Sequence, residues 1–129
     1  QNTAARILTG TPRHAHITPV LQSLHWLPVS RRGEFKILLL MYKTINETAP
    51  VYLQDLITPH VPTRSLRSKD QHLVKVPFTS SSMVQSRAFS VAGPRLWNAL
   101  PCAIRSSTSS GQFKSKLKTH LFSITYVNP

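Results

Sequence analysis

The sequence predicts a mainly α-helical small domain of about five short helices with a minor two-stranded β element. Three observations carry that prediction. Apolar residues recur at helical spacing in two windows, Phe35, Leu38, Leu39, Tyr42 and Phe113, Leu117, Leu121. Ten prolines against four glycines punctuate the chain, which favours short helices with stiff joints. Strand-like alternation is confined to Val74, Val76 and Phe78. A hydrophobic content of 40% supplies a modest core and argues against disorder throughout.

Taken in order, Thr3 to Leu8 reads as a helix stopped by Gly10 and Pro12. Thr18-Pro19 offers a hydroxyl cap followed by proline at the first helical position, where its missing N–H costs nothing. That helix carries Val20, Leu21 and Leu24 and ends near Trp26 to Pro28. Ser30 is placed to cap the next, which runs to about Asn46 and is apolar on most sides, as a central core helix would be. Ala49-Pro50 opens a short helix with Leu53, Leu56 and Ile57, closed by Pro59 and Pro62. Val74 to Phe78 is expected to pair with Arg87 to Val91 across a polar turn at Thr79 to Ser82. Gly93-Pro94 begins another short helix bearing Leu96, Trp97 and Leu100. Ser109-x-x-Gln112 has the form of a capping box for the last helix. The expected organisation is one accessory domain over 1–129: a helical half (1–62), a basic loop (63–70) and an acid-free basic half (71–129).

Charge is the strongest functional signal. Asp70 is the last carboxylate side chain; from Gln71 onward the chain carries seven Lys or Arg and no Asp or Glu. The formal net charge is +12. Positive charge without local neutralisation points to a polyanion, above all nucleic acid; the competing reading is a basic surface with no specific partner. Three basic groups stand out. Arg31 and Arg32 open the core helix, Arg64, Arg67 and Lys69 cluster on one loop, and Lys114, Lys116 and Lys118 recur on the last helix. These are the candidate nucleic-acid-binding residues, and as cations they grip phosphate without reading sequence. Arg31 and Arg32 lie at a helix N-terminus, where the dipole disfavours cations; a bound phosphate would relieve that conflict. Trp26 and Trp97 sit among leucines just before prolines, which favours core packing over base stacking. Tyr126 is expected to be the more accessible aromatic.

Other chemistry finds little support. Glu34, Glu47, Asp55 and Asp70 are scattered and offer no acid–base or two-metal pair. No glycine-rich phosphate loop is present. His14 and His16 form an H-x-H pair without a third ligand at matching spacing. His25, in an apolar string, reads as a packed histidine. Cys102, the single cysteine, excludes an internal disulfide and a cysteine-based zinc knuckle, and reads as a structural thiol. No apolar run is long enough for a membrane span. The residues before Glu34 hold no acid, as in a mitochondrial presequence, but Pro12, Pro19 and Pro28 interrupt the apolar spacing. Expected, then, are no catalytic residue, no metal, no cofactor, no small-molecule substrate and no membrane partner. The chain opens on Gln1 and is expected to be a fragment of a longer polypeptide.

Several strings, in this order and spacing, resemble a known family. They include Ala5-Arg6-Ile7-Leu8-Thr9, His16-Ile17-Thr18-Pro19-Val20-Leu21, Leu24-His25-Trp26-Leu27-Pro28-Val29 and Phe35-Lys36-Ile37-Leu38-Leu39-Leu40. Ala49-Pro50-x-Tyr52-Leu53, Arg64-Ser65-Leu66-Arg67-Ser68, Arg87-Ala88-Phe89-Ser90-Val91-Ala92-Gly93-Pro94-Arg95-Leu96-Trp97-Asn98 and the Phe113 to Phe122 stretch complete the set. Together they resemble the C-terminal region of the second open reading frame of non-LTR, LINE-type retrotransposons, in the Rex-like, jockey-type group found in fish. The resemblance spans nearly the whole chain. It implies a segment following the palm and thumb of a reverse transcriptase, in a parent RNA-directed DNA polymerase that copies its RNA onto nicked target DNA. The paired-aspartate motif of that polymerase is absent here. What the resemblance implies is a non-catalytic segment that holds template RNA or target DNA, with the upstream reverse transcriptase domain as a partner. The parent acts in the nucleus and is translated in the cytoplasm. Two alternatives stay open: a structural brace packed on the polymerase thumb, and an inert translated remnant.

Overall fold

The computed structural model describes residues 1–61, 72–78 and 87–127, and seven helices lie among them. They are α1 (Asn2–Thr9), α2 (Ile17–Ser23), α3 (Val29–Ile45), α4 (Val51–Gln54), α5 (Phe89–Ala99), α6 (Cys102–Arg105) and α7 (Ser110–Tyr126). The fold is mainly α-helical, as the periodicity predicts. The basic loop 63–70 and the polar turn 79–82 lie outside the described residues.

The two helical windows of the sequence become the two longest helices, and both pack into one core. On α3, Leu38, Met41 and Tyr42 are buried; on α7, Phe113, Leu117 and Leu121. α5 contributes Val91 and Trp97, and α3 packs against both α5 and α7. At the centre the Tyr42 and Phe113 rings stack at 4.4 Å between centroids, and Trp97 tilts onto Phe113 at 5.7 Å. Such aromatic pairs add about 0.5–1.5 kcal/mol each beyond the area they bury. Their polar atoms are satisfied: the Tyr42 hydroxyl donates to the Ser107 carbonyl, and the Trp97 indole N–H to the His72 carbonyl. Gly93 is the close-approach point of α5 on α3. A Cβ there would stand 2.6 Å from the Met41 sulfur.

Three helices end in the same way, with one residue in the left-handed region and a backbone N–H reaching back across the last turn. Gly10 serves α1 at φ 64°. His25 serves α2 at φ 54°, with the Trp26 N–H donating to the Leu21 carbonyl. Glu47 serves α3 at φ 57°, with the Thr48 N–H donating to the Lys43 carbonyl. Only the first uses glycine.

Helix starts differ from expectation in instructive ways. The side chain that caps α2 is His16, whose Nδ1 accepts the Thr18 N–H at 3.4 Å, so Thr18 and Pro19 both lie inside the helix. α3 starts at Val29, before Ser30, and its N-cap Pro28 gives no side-chain bond. α5 begins at Phe89, so Pro94 falls within the helix instead of opening it. Ser109 does cap α7, its Oγ accepting the Gln112 N–H at 3.2 Å. In the return bond Gln112 Oε1 accepts from the Thr108 N–H, one residue earlier than a capping box has it.

The two-stranded element is corrected too. Phe89 to Val91 is the start of α5 and cannot be a strand. Val74 instead makes an isolated antiparallel bridge with Pro59. On its other side the Asn98 amide takes the place of a strand, bonding both the N–H and the carbonyl of Val74. Of the alternating apolar residues only Val74 is buried; Phe78 is 97% exposed.

Candidate nucleic-acid interface

Residues from α3, α7 and the turn after α2 meet at a groove of about 470 Å³. Its lining includes the apolar groups Trp26, Leu27, Phe35 and Leu39, with His25, Arg32, Lys36 and Lys118. The size lies within the range of ordinary ligand sites, about 300–1,000 Å³. Local structure explains why these residues converge. The left-handed turn at His25 folds the chain back so that Trp26 and Leu27 lead directly into α3. Arg32 and Lys36 are four residues apart on α3 and therefore share a face, each three residues before a half-buried apolar residue, Phe35 and Leu39. Packing of α3 on α7 brings Lys118 to the same groove. All three cations are exposed.

The end of α7 braces this region. The Tyr126 hydroxyl donates to the Trp26 carbonyl at 2.6 Å, and its ring tilts onto Phe122 at 4.7 Å. Burial pushes the Tyr126 phenol above its ordinary value. Tyr126 is thus a structural tie and not the accessible aromatic expected from its position. Phe122 also stacks on the exposed His25 at 5.5 Å. His25 is packed on one face only. Trp97 is a core residue at 1% exposed, while Trp26 is half-buried and borders the groove.

The structure separates the candidate cations. Arg32 and Lys118 are brought together. Arg31 is bound to Glu34 one turn on, its Nη1 lying 2.8 and 3.0 Å from the two carboxylate oxygens. That ion pair already offsets the unfavourable dipole at the start of α3, so no phosphate is needed for the purpose. Lys114 is exposed one turn before Lys118. Lys116 projects from the other flank of the buried Phe113–Leu117 stripe, and its Nζ donates to the Ala103 carbonyl of α6 at 3.1 Å. Arg64, Arg67 and Lys69 lie outside the described residues. Sequence reasoning passed over Lys36, although its i+4 spacing from Arg32 was the available signal. Arg105, by contrast, is buried and structural: its Nη1 donates to the Asn98 and Leu100 carbonyls at the end of α5.

Two further hollows lie elsewhere. One, of about 420 Å³, has Glu47, His60 and His72 in its lining; the other, of about 610 Å³, has Arg6 and Arg13. Among the described residues, none of the candidate cations lines either. Arg6 there holds its own loop, donating to the Pro12 and Ala15 carbonyls. Among the described residues no group of three or more His, Cys, Asp or Glu is placed to hold a metal ion. His16 of the H-x-H pair is a helix cap, and Cys102 is an exposed thiol at the first residue of α6. No described helix is long and apolar enough to cross a membrane. Comparison of the chain with family models, with curated proteins and with solved structures returns no match.

Proposed function

We propose that this chain is a non-catalytic nucleic-acid-binding module, the C-terminal segment of a LINE-type RNA-directed DNA polymerase. It holds template RNA or target DNA through phosphate contacts while the upstream reverse transcriptase domain copies, at nuclear DNA after translation in the cytoplasm. The observation that carries the reading is the grouping of Arg32, Lys36 and Lys118 on one face of a chain with net charge +12. Among the described residues no carboxylate lines that groove, and the acid nearest in sequence, Glu34, is bound to Arg31. Cations so placed bind phosphates and release counterions, which gives affinity a steep dependence on salt.

The test is binding of the whole chain to structured RNA, single-stranded RNA and duplex DNA by fluorescence anisotropy at several salt concentrations. Binding whose logarithm falls linearly with the logarithm of salt supports the reading. Absence of binding at low salt from folded protein overturns it.

A second reading has its own observation. On α1, Ile7 and Leu8 are 76% and 66% exposed, although Ala5 on the same helix is fully buried. Adjacent exposed apolar side chains suit a brace that packs on the polymerase thumb. Association with the reverse transcriptase domain, lost on Ile7→Ser and Leu8→Ser, would favour it.

A further inference from the structure

We propose that the groove accepts an unpaired nucleobase, with the flanking phosphates held by Arg32, Lys36 and Lys118, so that the chain prefers single-stranded to duplex nucleic acid. The proposal rests on the nucleic-acid reading above and names the form of the ligand.

A surface that serves phosphates alone needs cations and no apolar floor. Duplex nucleic acid presents its phosphates outward and keeps its bases stacked within. Here the three cations border Trp26, Phe35 and Leu39, three apolar side chains that are all only half-buried. An indole and a phenyl ring beside positive charge match the two halves of an unpaired nucleotide: a flat base to stack and an anion to neutralise. The charge stands on both helices that border the groove, Arg32 and Lys36 on α3 and Lys118 on α7. A strand crossing it would therefore meet a cation on either side of an inserted base. Stacking on an aromatic face accepts any base, so no sequence preference is expected. The groove is also held in shape without a ligand. Tyr126 is bonded to the Trp26 carbonyl, and Phe122 is stacked on His25, which limits the ordering that binding must impose.

The experiment uses the whole chain and three labelled probes of equal length: single-stranded oligothymidylate, an abasic strand with the same phosphates, and a duplex. Anisotropy and tryptophan emission are read together. Expected is about tenfold or more weaker binding of the abasic strand than of oligothymidylate, as loss of a stacked base costs. Oligothymidylate should quench tryptophan emission. Trp26→Phe should abolish the quench, because the remaining Trp97 is 1% exposed. Arg32→Gln and Lys118→Gln should each lower the salt slope by about 0.7 for a single strand. Equal binding of all three probes with unchanged emission would overturn the base-insertion proposal and leave a simple phosphate grip. Failure of every probe at low salt would overturn both. The abasic comparison uses the unaltered chain, so it decides even if Trp26→Phe folds poorly.

Discussion

The side-chain amide of Asn98 closes on the backbone of Val74, its Oδ1 accepting the Val74 N–H at 3.1 Å and its Nδ2 donating to the Val74 carbonyl at 2.8 Å. A helix side chain here does the work of a neighbouring strand. The segment is held from the other side by Lys75 donating to the Thr58 carbonyl and His60 to the Leu73 carbonyl. Val74, 3% exposed, is thereby fixed in the core beside Trp97, the residue before Asn98.

Asn98→Ala should remove both bonds and leave two backbone groups of Val74 without partners. Each such group costs about 1–3 kcal/mol when buried, so a loss of about 2–6 kcal/mol is expected. Urea unfolding measures it, and the Val74 amide should lose its protection from hydrogen exchange. Asn98→Asp should recover little, since it returns an acceptor for the N–H but sets a carboxylate against the carbonyl.

Two glycines should respond oppositely to alanine. Gly33 lies inside α3 with nothing within 4 Å of an added Cβ, so Gly33→Ala should stabilise by about 0.5–1 kcal/mol. At Gly93 the added carbon meets buried Met41 at 2.6 Å from sulfur and 3.1 Å from Cγ. Gly93→Ala should destabilise by about 1–3 kcal/mol, the usual cost of overpacking. Thermal melts of the two variants side by side test both signs.

Glu47 ends α3 at φ 57° and is exposed, so its side chain offers no packing to offset the left-handed backbone. Glu47→Gly should raise stability by about 0.5–1 kcal/mol, the left-handed penalty less the extra entropy of glycine. An unchanged or lower urea midpoint would contradict this.

Tyr126 links stability to alkaline pH. Its phenol lies above the ordinary value because burial disfavours the phenolate. The unfolded chain then loses this proton first, at about pH 10, and the folded chain only at higher pH. The stabilisation is intact below pH ~10 and is lost as pH rises through the folded value. Tyr126→Phe should lower stability near neutrality by about 0.5–1.5 kcal/mol through the lost bond to the Trp26 carbonyl. It should also flatten the alkaline decline relative to the unaltered chain. Urea midpoints at pH 7 and above pH 10 separate the two effects.

Much of the fold was legible because its signals are local. Phe113, Leu117 and Leu121 repeat at i, i+4, i+8, and all three are buried. Ser109 stands in the position where a cap is expected and accepts the bond. Pro94 misled because proline is commonest in the first turn, whereas α5 starts at Phe89 and carries it, buried, within the helix. The strand partner of Val74 was illegible for another reason: one side, Asn98, is a side chain on a helix, and the other, Pro59, breaks strand patterns. The candidate site was half legible. Charge counting finds Arg32 and Lys118, but only α3–α7 packing unites them; Glu34 stands three residues after Arg31 and two after Arg32, so helical spacing was the available signal that pairs it with Arg31.

The most direct measurement compares two charge-matched variants of the whole chain, each losing three cations, for salt-dependent binding to one single-stranded RNA. The first is Arg32→Gln, Lys36→Gln, Lys118→Gln, which removes the three groove cations; the second is Lys75→Gln, Arg87→Gln, Arg95→Gln, all exposed and none in the groove lining. Binding by the first should fall by tenfold or more at low salt, with a salt slope shallower by about 2, while the second stays near the unaltered chain. Equal losses in the two variants would mean that the net charge, and not the groove, holds the nucleic acid, and would contradict the site.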